Sequence, residues 1–252
     1  MSDYQDAFLE WLEGQELPRS PLYDCPYLPN KKARQFGFAS ETLNSELYQA
    51  LLNRAYRRTG TIFYGMDCPT CQLCVPLRVP VATFAPSKSQ RRTLRKNLDL
   101  RVEFLTPQFE RESYEVYHRY LQHQHPDTPQ DESEEHFREA LYGNVVDALE
   151  ARYYLDTRLV GVSLLDVTSE SLSSVYHFFE PEVRQRRIGV FSVIAEIAHA
   201  KSVGIPYYHL GYWVQGAPTM HYKADFGPNE VLKDGVWHTN PRRANADDNG
   251  AN

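Results

Sequence analysis

Four cysteines stand out as residues whose type and spacing suit chemistry. Cys68, Cys71 and Cys74 form a C-x2-C-x2-C run, and Cys25 precedes Pro26. Thiolates two residues apart in a turn can converge on one metal, with a fourth ligand arriving from a distance; the spacing suits an iron–sulfur cluster as well as tetrahedral zinc. Buried packing thiols are the alternative. Arg78 falls just beyond, on a predicted strand whose alternation can turn one guanidinium into a pocket, where its planar fork takes a carboxylate bidentately. An ordinary surface arginine is the plainer reading. Next come Lys88, Arg91, Arg92, Arg95 and Lys96. Helical spacing sets Lys88, Arg92 and Arg95 on one face with Arg91 beside it, an array that can follow a phosphate backbone or simply be solvated. Arg57 and Arg58 are placed to extend that patch.

Further on, Arg184-Gln185-Arg186-Arg187-Ile188-Gly189 opens a predicted helix, whose first N–H groups can receive phosphate. Aromatic side chains crowd Tyr208, Leu210-Gly211-Tyr212-Trp213 and Met220-His221-Tyr222-Lys223, with Tyr212 and Trp213 as candidate pocket walls. Lys223 and Tyr222 are candidate catalytic residues, and Glu180 is a candidate proton acceptor. His177 and His209 have no catalytic partner visible by spacing and read as satisfied strand histidines.

The elements that must position these groups follow from periodicity and punctuation. Phe8, Leu9 and Leu12 suggest a short amphipathic helix. Asn44 can cap a helix with Leu47, Leu51 and Ala55 on its apolar face, ending at Gly60. Thr61 to Tyr64 and Leu77 to Phe84 read as strands around the cysteine turn, Ser87 or Ser89 opens the basic helix, and Leu100 to Leu105 is another strand. A soft boundary is expected near Thr106-Pro107, dividing an N-terminal domain (1–105) from a second domain (106–238), with a disordered tail at 239–252. The second domain reads as helices from about Phe109 to Gln122 and Glu132 to Leu141. Strands follow at Ala151 to Asp156, Leu159 to Val167 and Leu172 to Phe179, the first pair joined by a Thr157-Arg158 turn. A helix from Ile188 to Lys201, the strand Tyr207 to Trp213 and a hairpin around Val231 to Trp237 complete it. This order resembles the Gcn5-related N-acyltransferase fold: an α+β protein with an acyltransferase-like C-terminal domain and a smaller cysteine-containing α/β N-terminal domain.

Composition bounds the function. The chain has 252 residues, 42% of them hydrophobic, and a net charge of -6, which excludes a general basic coat for nucleic acid and confines any RNA contact to a local patch. Acidic residues occupy the start of the chain and no apolar run approaches the ~20 residues of a bilayer span, so a cytoplasmic protein without membrane contact is expected. Four cysteines in a reducing compartment serve as ligands, catalytic groups or packing rather than as disulfides.

Taken together, Tyr56-Arg57-Arg58-Thr59-Gly60, the cysteine run with Val75-Pro76-Leu77-Arg78-Val79-Pro80, Ser87-Lys88-Ser89-Gln90-Arg91-Arg92, Leu210-Gly211-Tyr212-Trp213 and Met220-His221-Tyr222-Lys223 resemble the aminoacyl-tRNA–protein transferases of the N-degron pathway. Within these, Cys25-Pro26-Tyr27-Leu28-Pro29 and the compact length look most like the bacterial aspartate/glutamate leucyltransferases, and the similarity runs from about Cys25 to Trp237. The resemblance implies transfer of leucine from leucyl-tRNA to the α-amine of proteins beginning with Asp or Glu. It further implies that Arg78 reads the acidic residue, that Arg91, Arg92 and Arg95 contact tRNA, and that the cysteine region is needed, without naming a metal. The loop at Arg187 resembles the pyrophosphate loop of coenzyme-A acyltransferases, but with arginine where the first glycine belongs. That side chain is expected to obstruct a tight cradle while the arginines still hold terminal nucleotides. An aminoacyl ester is already activated, so no cofactor is required for its aminolysis, and positioning with oxyanion donors can supply most of the rate. The alternatives are an arginyl donor, a coenzyme-A-dependent N-acetyltransferase, and a noncatalytic metal-stabilised adaptor for acidic N-termini or RNA.

Overall fold

The computed structural model describes residues 3–124, 133–143 and 145–240. Its elements, in order, are α1 (Asp3–Glu13), β1 (Tyr23–Asp24), β2 (Lys32–Ala33), β3 (Gln35–Ala39), α2 (Ser45–Leu52), β4 (Arg57–Thr59), β5 (Ile62–Met66), β6 (Cys74–Pro80), α3 (Lys88–Lys96) and β7 (Leu100–Leu105). Then come α4 (Arg111–Gln124), α5 (Glu134–Tyr142), β8 (Ala148–Leu155), β9 (Arg158–Val167), β10 (Ser171–Phe179), α6 (Ile188–Ser202), β11 (Tyr207–Val214), β12 (Glu230–Lys233) and β13 (Val236–Thr239).

Most strands join one eight-stranded sheet, ordered β13-β12-β6-β11-β10-β9-β8-β7, giving a mixed α/β architecture; β3-β5-β4 form a small second sheet and β1-β2 a two-stranded one. In the large sheet only β10 and β11 run parallel, with α6 as their crossover. Strand β9 is buried along almost its whole length because both faces are covered. Val162 and Leu164 join Val116, Phe137 and Phe178 on the α4/α5 side, whereas Leu165 joins Tyr153, Ile188 and Ile197 beneath α6.

Caps set the helix starts. Asn44 Oδ1 accepts from the Leu47 N–H at 2.9 Å. Ser87 and Gln90 form a reciprocal capping box, so Ser87, not Ser89, opens the basic helix. Helix α2 stops at Leu52 instead of reaching Gly60, and Arg57-Arg58-Thr59 is strand β4. Gly60 does take the left-handed conformation expected of it, at φ 53°, but in the turn between β4 and β5. The β8-β9 turn is Asp156-Thr157, one residue earlier than expected, with Asp156 at φ 54°.

The sheets do not divide at Thr106. Strands β6 and β7 lie inside the large sheet, so the change of sheet falls between Met66 and Cys74. The start expected for the helix at Glu132 and most of the tail expected at 239–252 lie outside the described residues.

Candidate active site

The large sheet opens in its middle. Strand β10 pairs with β11 only from Ser171↔Tyr207 to Ser173↔His209, although β10 continues to Phe179 and β11 to Val214. Both strands change register at that point, β10 against β9 between Ser174 and Tyr176, and β11 against β6 between His209 and Gly211. Irregularities of this kind bend strands and re-aim side chains. Beyond the last pair the two inner edges diverge, and backbone polar groups lose their ladder partners there.

Two cations serve these edges. From β4, Arg57 donates Nη1 to Ser173 Oγ at 2.7 Å and Nη2 to the Ser174 carbonyl. The other arm leaves room for it: Gly211, at φ 76°, is so close that a Cβ there would lie 3.3 Å from the Arg57 guanidinium. From the turn His221–Asp225, Lys223 donates Nζ to the Tyr212 carbonyl at 2.9 Å. Arg57 is only 8% exposed, and its hydrogen-bond partners among the described residues are neutral oxygens. A buried charge so placed is costly unless an anion joins it. Burial, then Arg57, pull the Lys223 amine down to about 7, against the opposing effect of Cys74. An amine in that range exchanges a proton near neutrality.

The four cysteines meet beside this opening. Cys25, Cys68, Cys71 and Cys74 line one cavity of about 110 Å³, together with Tyr27, Tyr64 and Tyr212. Burial first, then Cys68, Cys25 and Cys71, push the Cys74 thiol up to about 12. Among the described residues no three His, Cys, Asp or Glu side chains stand in an ion-binding arrangement. Four thiols remain a donor set whose chemistry suits a thiophilic metal.

Other expected site residues are distributed differently. Arg78 donates its Nε to Glu230 Oε2 at 2.7 Å, and its guanidinium carbon lies 3.7 Å from the Tyr207 ring centroid and 4.1 Å from that of Trp237. A carboxylate thus engages Nε while two rings lie against the guanidinium. Glu180 is held in ion pairs: Arg119 grips both of its oxygens and Arg158 stands 3.3 Å from Oε1. Tyr222 is 41% exposed, and desolvation first, then Tyr120 and Glu196, push its hydroxyl up to about 12. Tyr212 lines the cysteine cavity and donates its hydroxyl to the Ala55 carbonyl at 2.6 Å. Trp213 is buried on the wall of a larger cavity of about 1000 Å³.

Arg57 and Arg58 do not extend the basic patch; both are buried, and Arg58 pairs with Asp166. The patch has other neighbours. Arg91, Arg92 and Arg95 are exposed on α3. Lys96 donates to the Gln185 carbonyl at 2.6 Å and Arg187 Nη1 to Ser89 Oγ at 2.8 Å, so the basic helix and the arginine loop form one continuous surface. Arg187 occupies the left-handed conformation, φ 58° and ψ 45°, that a glycine would take most easily. Its side chain turns toward α3, which corrects the expected obstruction of the α6 start.

Two features escaped sequence reading. Arg57 gave no signal of burial, whereas Glu196, a lone carboxylate in the apolar run of α6, was visible and went unused.

Comparison with known proteins gives the family of the chain. Residues 23–92 match the arginine-tRNA-protein transferase N-terminal family and residues 112–233 its C-terminal family. The aspartate/glutamate leucyltransferase of Marinobacter nauticus is 36% identical over 86% of this chain and 93% of its own length, and that of Thiobacillus denitrificans 36% identical over 85% and 90%. The Chromobacterium violaceum protein of the same name is 34% identical over 87% and 91%. Among solved structures, FemX aligns over 84% of this chain and 83% of its own at 9% identity and a TM-score of 0.44, and L-PGS from Bacillus licheniformis over 86% and 77% at 11% identity and 0.43. Both halves of the transferase family are present in order, which sets the class as an aminoacyl-tRNA–protein transferase. Within it, the chain belongs to the family of aspartate/glutamate leucyltransferases.

Proposed function

We propose that the protein transfers leucine from leucyl-tRNA to the α-amine of polypeptides beginning with Asp or Glu, making the new N-terminus a signal for degradation. The observation that carries this reading is the pairing, at the opened β10-β11 junction, of a lysine amine near neutrality with a buried arginine lacking a carboxylate partner among the described residues. Lys223 takes the proton of the incoming ammonium. The freed amine nitrogen bonds to the leucyl carbonyl carbon, the ester C–O bond breaks, and the ribose oxygen leaves with the second proton that the attacking nitrogen gives up. Backbone N–H groups along the diverging strands are suited to the developing oxyanion. Arg57 takes the role expected of Arg78 and receives the acidic side chain, whose charge compensates the buried guanidinium. The surface of α3 and the Arg184 to Arg187 loop holds the tRNA.

The strand order, the single opened parallel pair and the crossover helix support the Gcn5-related N-acyltransferase reading of the larger part of the chain. A leucyl donor is favoured over an arginyl one because Glu196, the buried carboxylate of α6, is committed to three hydroxyls. The cysteines remain a candidate site for zinc or an iron–sulfur cluster, held by Cys25, Cys68, Cys71 and Cys74. Such a group would tie the cysteine turn to β6 and offset the mutual repulsion of the thiolates, and no step of the transfer needs it. No described helix is long and apolar enough to cross a membrane, and a charged-tRNA donor supports a cytoplasmic reaction.

The test is incubation of the protein with labelled leucyl-tRNA and peptides beginning with Asp, Glu or Gln. Label on the first two only is expected. Label from arginyl-tRNA alone would move the donor assignment, and binding without transfer would leave the adaptor reading.

A further inference from the structure

The large sheet parts at a second place as well. Strand β12 pairs with β6 only at Glu230↔Arg78 and Val231↔Leu77, although β6 begins at Cys74 and β12 runs on to Lys233. A continued register would set Leu232 opposite Pro76, which has no N–H to give, so the ladder stops there. Past that point β12 still pairs with β13 and β6 with β11, but the edges that β12 and β6 turn toward each other have no ladder partner among the described residues. Strand edges left in this way call for backbone partners.

Both edges border the cavity of about 1000 Å³, which Cys74, Val75 and Pro76 line from β6 and Leu232 and Lys233 from β12. Leu12 of α1 and Leu17 of the loop after it supply further apolar wall. The cavity is continuous with the catalytic opening. Ala55 and Tyr56, which also line it, lead directly into Arg57, and the Ala55 carbonyl receives the Tyr212 hydroxyl at 2.6 Å. Trp213, on the same wall, follows the residue whose carbonyl holds Lys223. An extended chain advances only ~3.3 Å per residue, so a polypeptide whose first residue meets Arg57 and Lys223 can lay the residues just behind it along this cavity. A polypeptide acceptor has a chain that must leave the opening, and an extended backbone is what bare strand edges bind.

We propose that the segment following the acceptor's first residue binds as an added β-strand in the cleft between β6 and β12, held by backbone hydrogen bonds to the free edges while the apolar walls receive its side chains. The assignment rests on the leucyl-transfer reading above. Backbone pairing selects conformation rather than sequence, which suits an enzyme whose acceptors share only their first residue. The substrate class is thereby narrowed to polypeptides whose N-terminal segment is extended and free of its own fold for several residues.

The test measures steady-state transfer from leucyl-tRNA to two acceptors, aspartic acid amide and a hexapeptide amide that begins with Asp and continues in Ala. The wild-type protein should use the hexapeptide better by at least about tenfold in kcat/KM, the effect of one or two net backbone hydrogen bonds. Methylating the backbone nitrogen of residue 3 or of residue 4 should cancel most of that gain in at least one of the two peptides, because a methylated nitrogen donates nothing. Gln15, just after α1, and Gln215, just after β11, are exposed residues on the cavity lining. Gln15→Trp and Gln215→Trp should fill the cleft and bring the hexapeptide gain below about twofold, with Tm near that of the wild type because surface changes seldom move stability. Equal use of the amide and the hexapeptide by the wild type, indifference to methylation at both positions, or an undiminished gain in both folded tryptophan variants would overturn the assignment. Absence of transfer to either acceptor by the folded wild type would instead remove the leucyl-transfer reading on which it stands.

Discussion

A lysine amine held out of water beside an arginine is a poorly stabilised cation, and Lys223 is in that position. Its pKa falls from 10.5 in the unfolded chain to about 7 in the fold. Between those values the unfolded state binds more protons, so stability rises with pH across that window and the penalty is fully present below it. Lys223→Met should therefore raise Tm below pH 7, with the gain shrinking toward pH 10.5, as a pH series of melting curves would show. The same change should lower kcat by about a hundredfold or more. Arg57 is the second cause of the Lys223 shift, so Arg57→Gln should move the acidic limb of the pH–rate profile to higher pH and reduce the preference for Asp over Gln peptides. Arg78→Gln should lose stability through Glu230, Tyr207 and Trp237 while keeping that preference. Competition between Asp- and Gln-peptides separates the two arginines, and loss of preference in Arg78→Gln alone would restore the earlier assignment.

At the scale of elements, α3 and the turn that leads into α6 act as one surface, although 89 residues separate Lys96 from the Gln185 carbonyl it binds. If Arg92 and Arg95 touch tRNA phosphates, each change to Ala should shallow the slope of log affinity against log salt by about 0.7 to 0.9 and leave acceptor preference alone. Filter binding at several salt concentrations gives that slope, and an unchanged one would make α3 a solvated face. The cysteine turn has its own test: elemental analysis of anaerobically purified protein should find stoichiometric zinc or iron with sulfide, and Cys71→Ser should remove it; metal-free protein and an equally stable mutant would leave packing thiols. Elements such as α6, β9 and β10 were legible in the sequence because their periodicity is local. The start of the basic helix was narrowed to Ser87 or Ser89 for the same reason, and the capping box selects Ser87. What the sequence hid was which segments meet. Arg57 looked like part of a surface patch because its partner Ser173 lies 116 residues away, and Arg78 looked available because Glu230 and Trp237 come from a hairpin far down the chain. The opening between β10 and β11 was equally invisible, since it arises from two register changes in strands whose hydrophobic patterns run on without a break.

Across the whole molecule, the small sheet has to hold Arg57 steady in an opening that belongs to the large one. Its neighbour supplies the anchor. Arg58 donates to both oxygens of Asp166, Tyr48 donates to Oδ2 at 2.6 Å, and Arg58 also reaches the Gly60 carbonyl at 2.8 Å. Asp166 on β9 lies directly across from Ser173 on β10, the residue that Arg57 binds, so consecutive arginines of β4 grip a cross-strand pair of the large sheet. Buried ion pairs are often replaceable together but expensive to break singly, because the remaining charge is left without a partner. Arg58→Met should accordingly cost about 3–5 kcal/mol by denaturant titration, whereas Arg58→Met with Asp166→Leu should cost clearly less than the two single changes added together. The functional consequence separates an anchor from a mere stabiliser. If Arg58 positions Arg57, the double variant should recover much of the stability yet still discriminate poorly between Asp- and Gln-peptides, since β4 would no longer be held in register with Ser173. A double variant with restored stability and wild-type peptide preference would show instead that Gly211 and Ser174 hold Arg57 in place without help from Arg58.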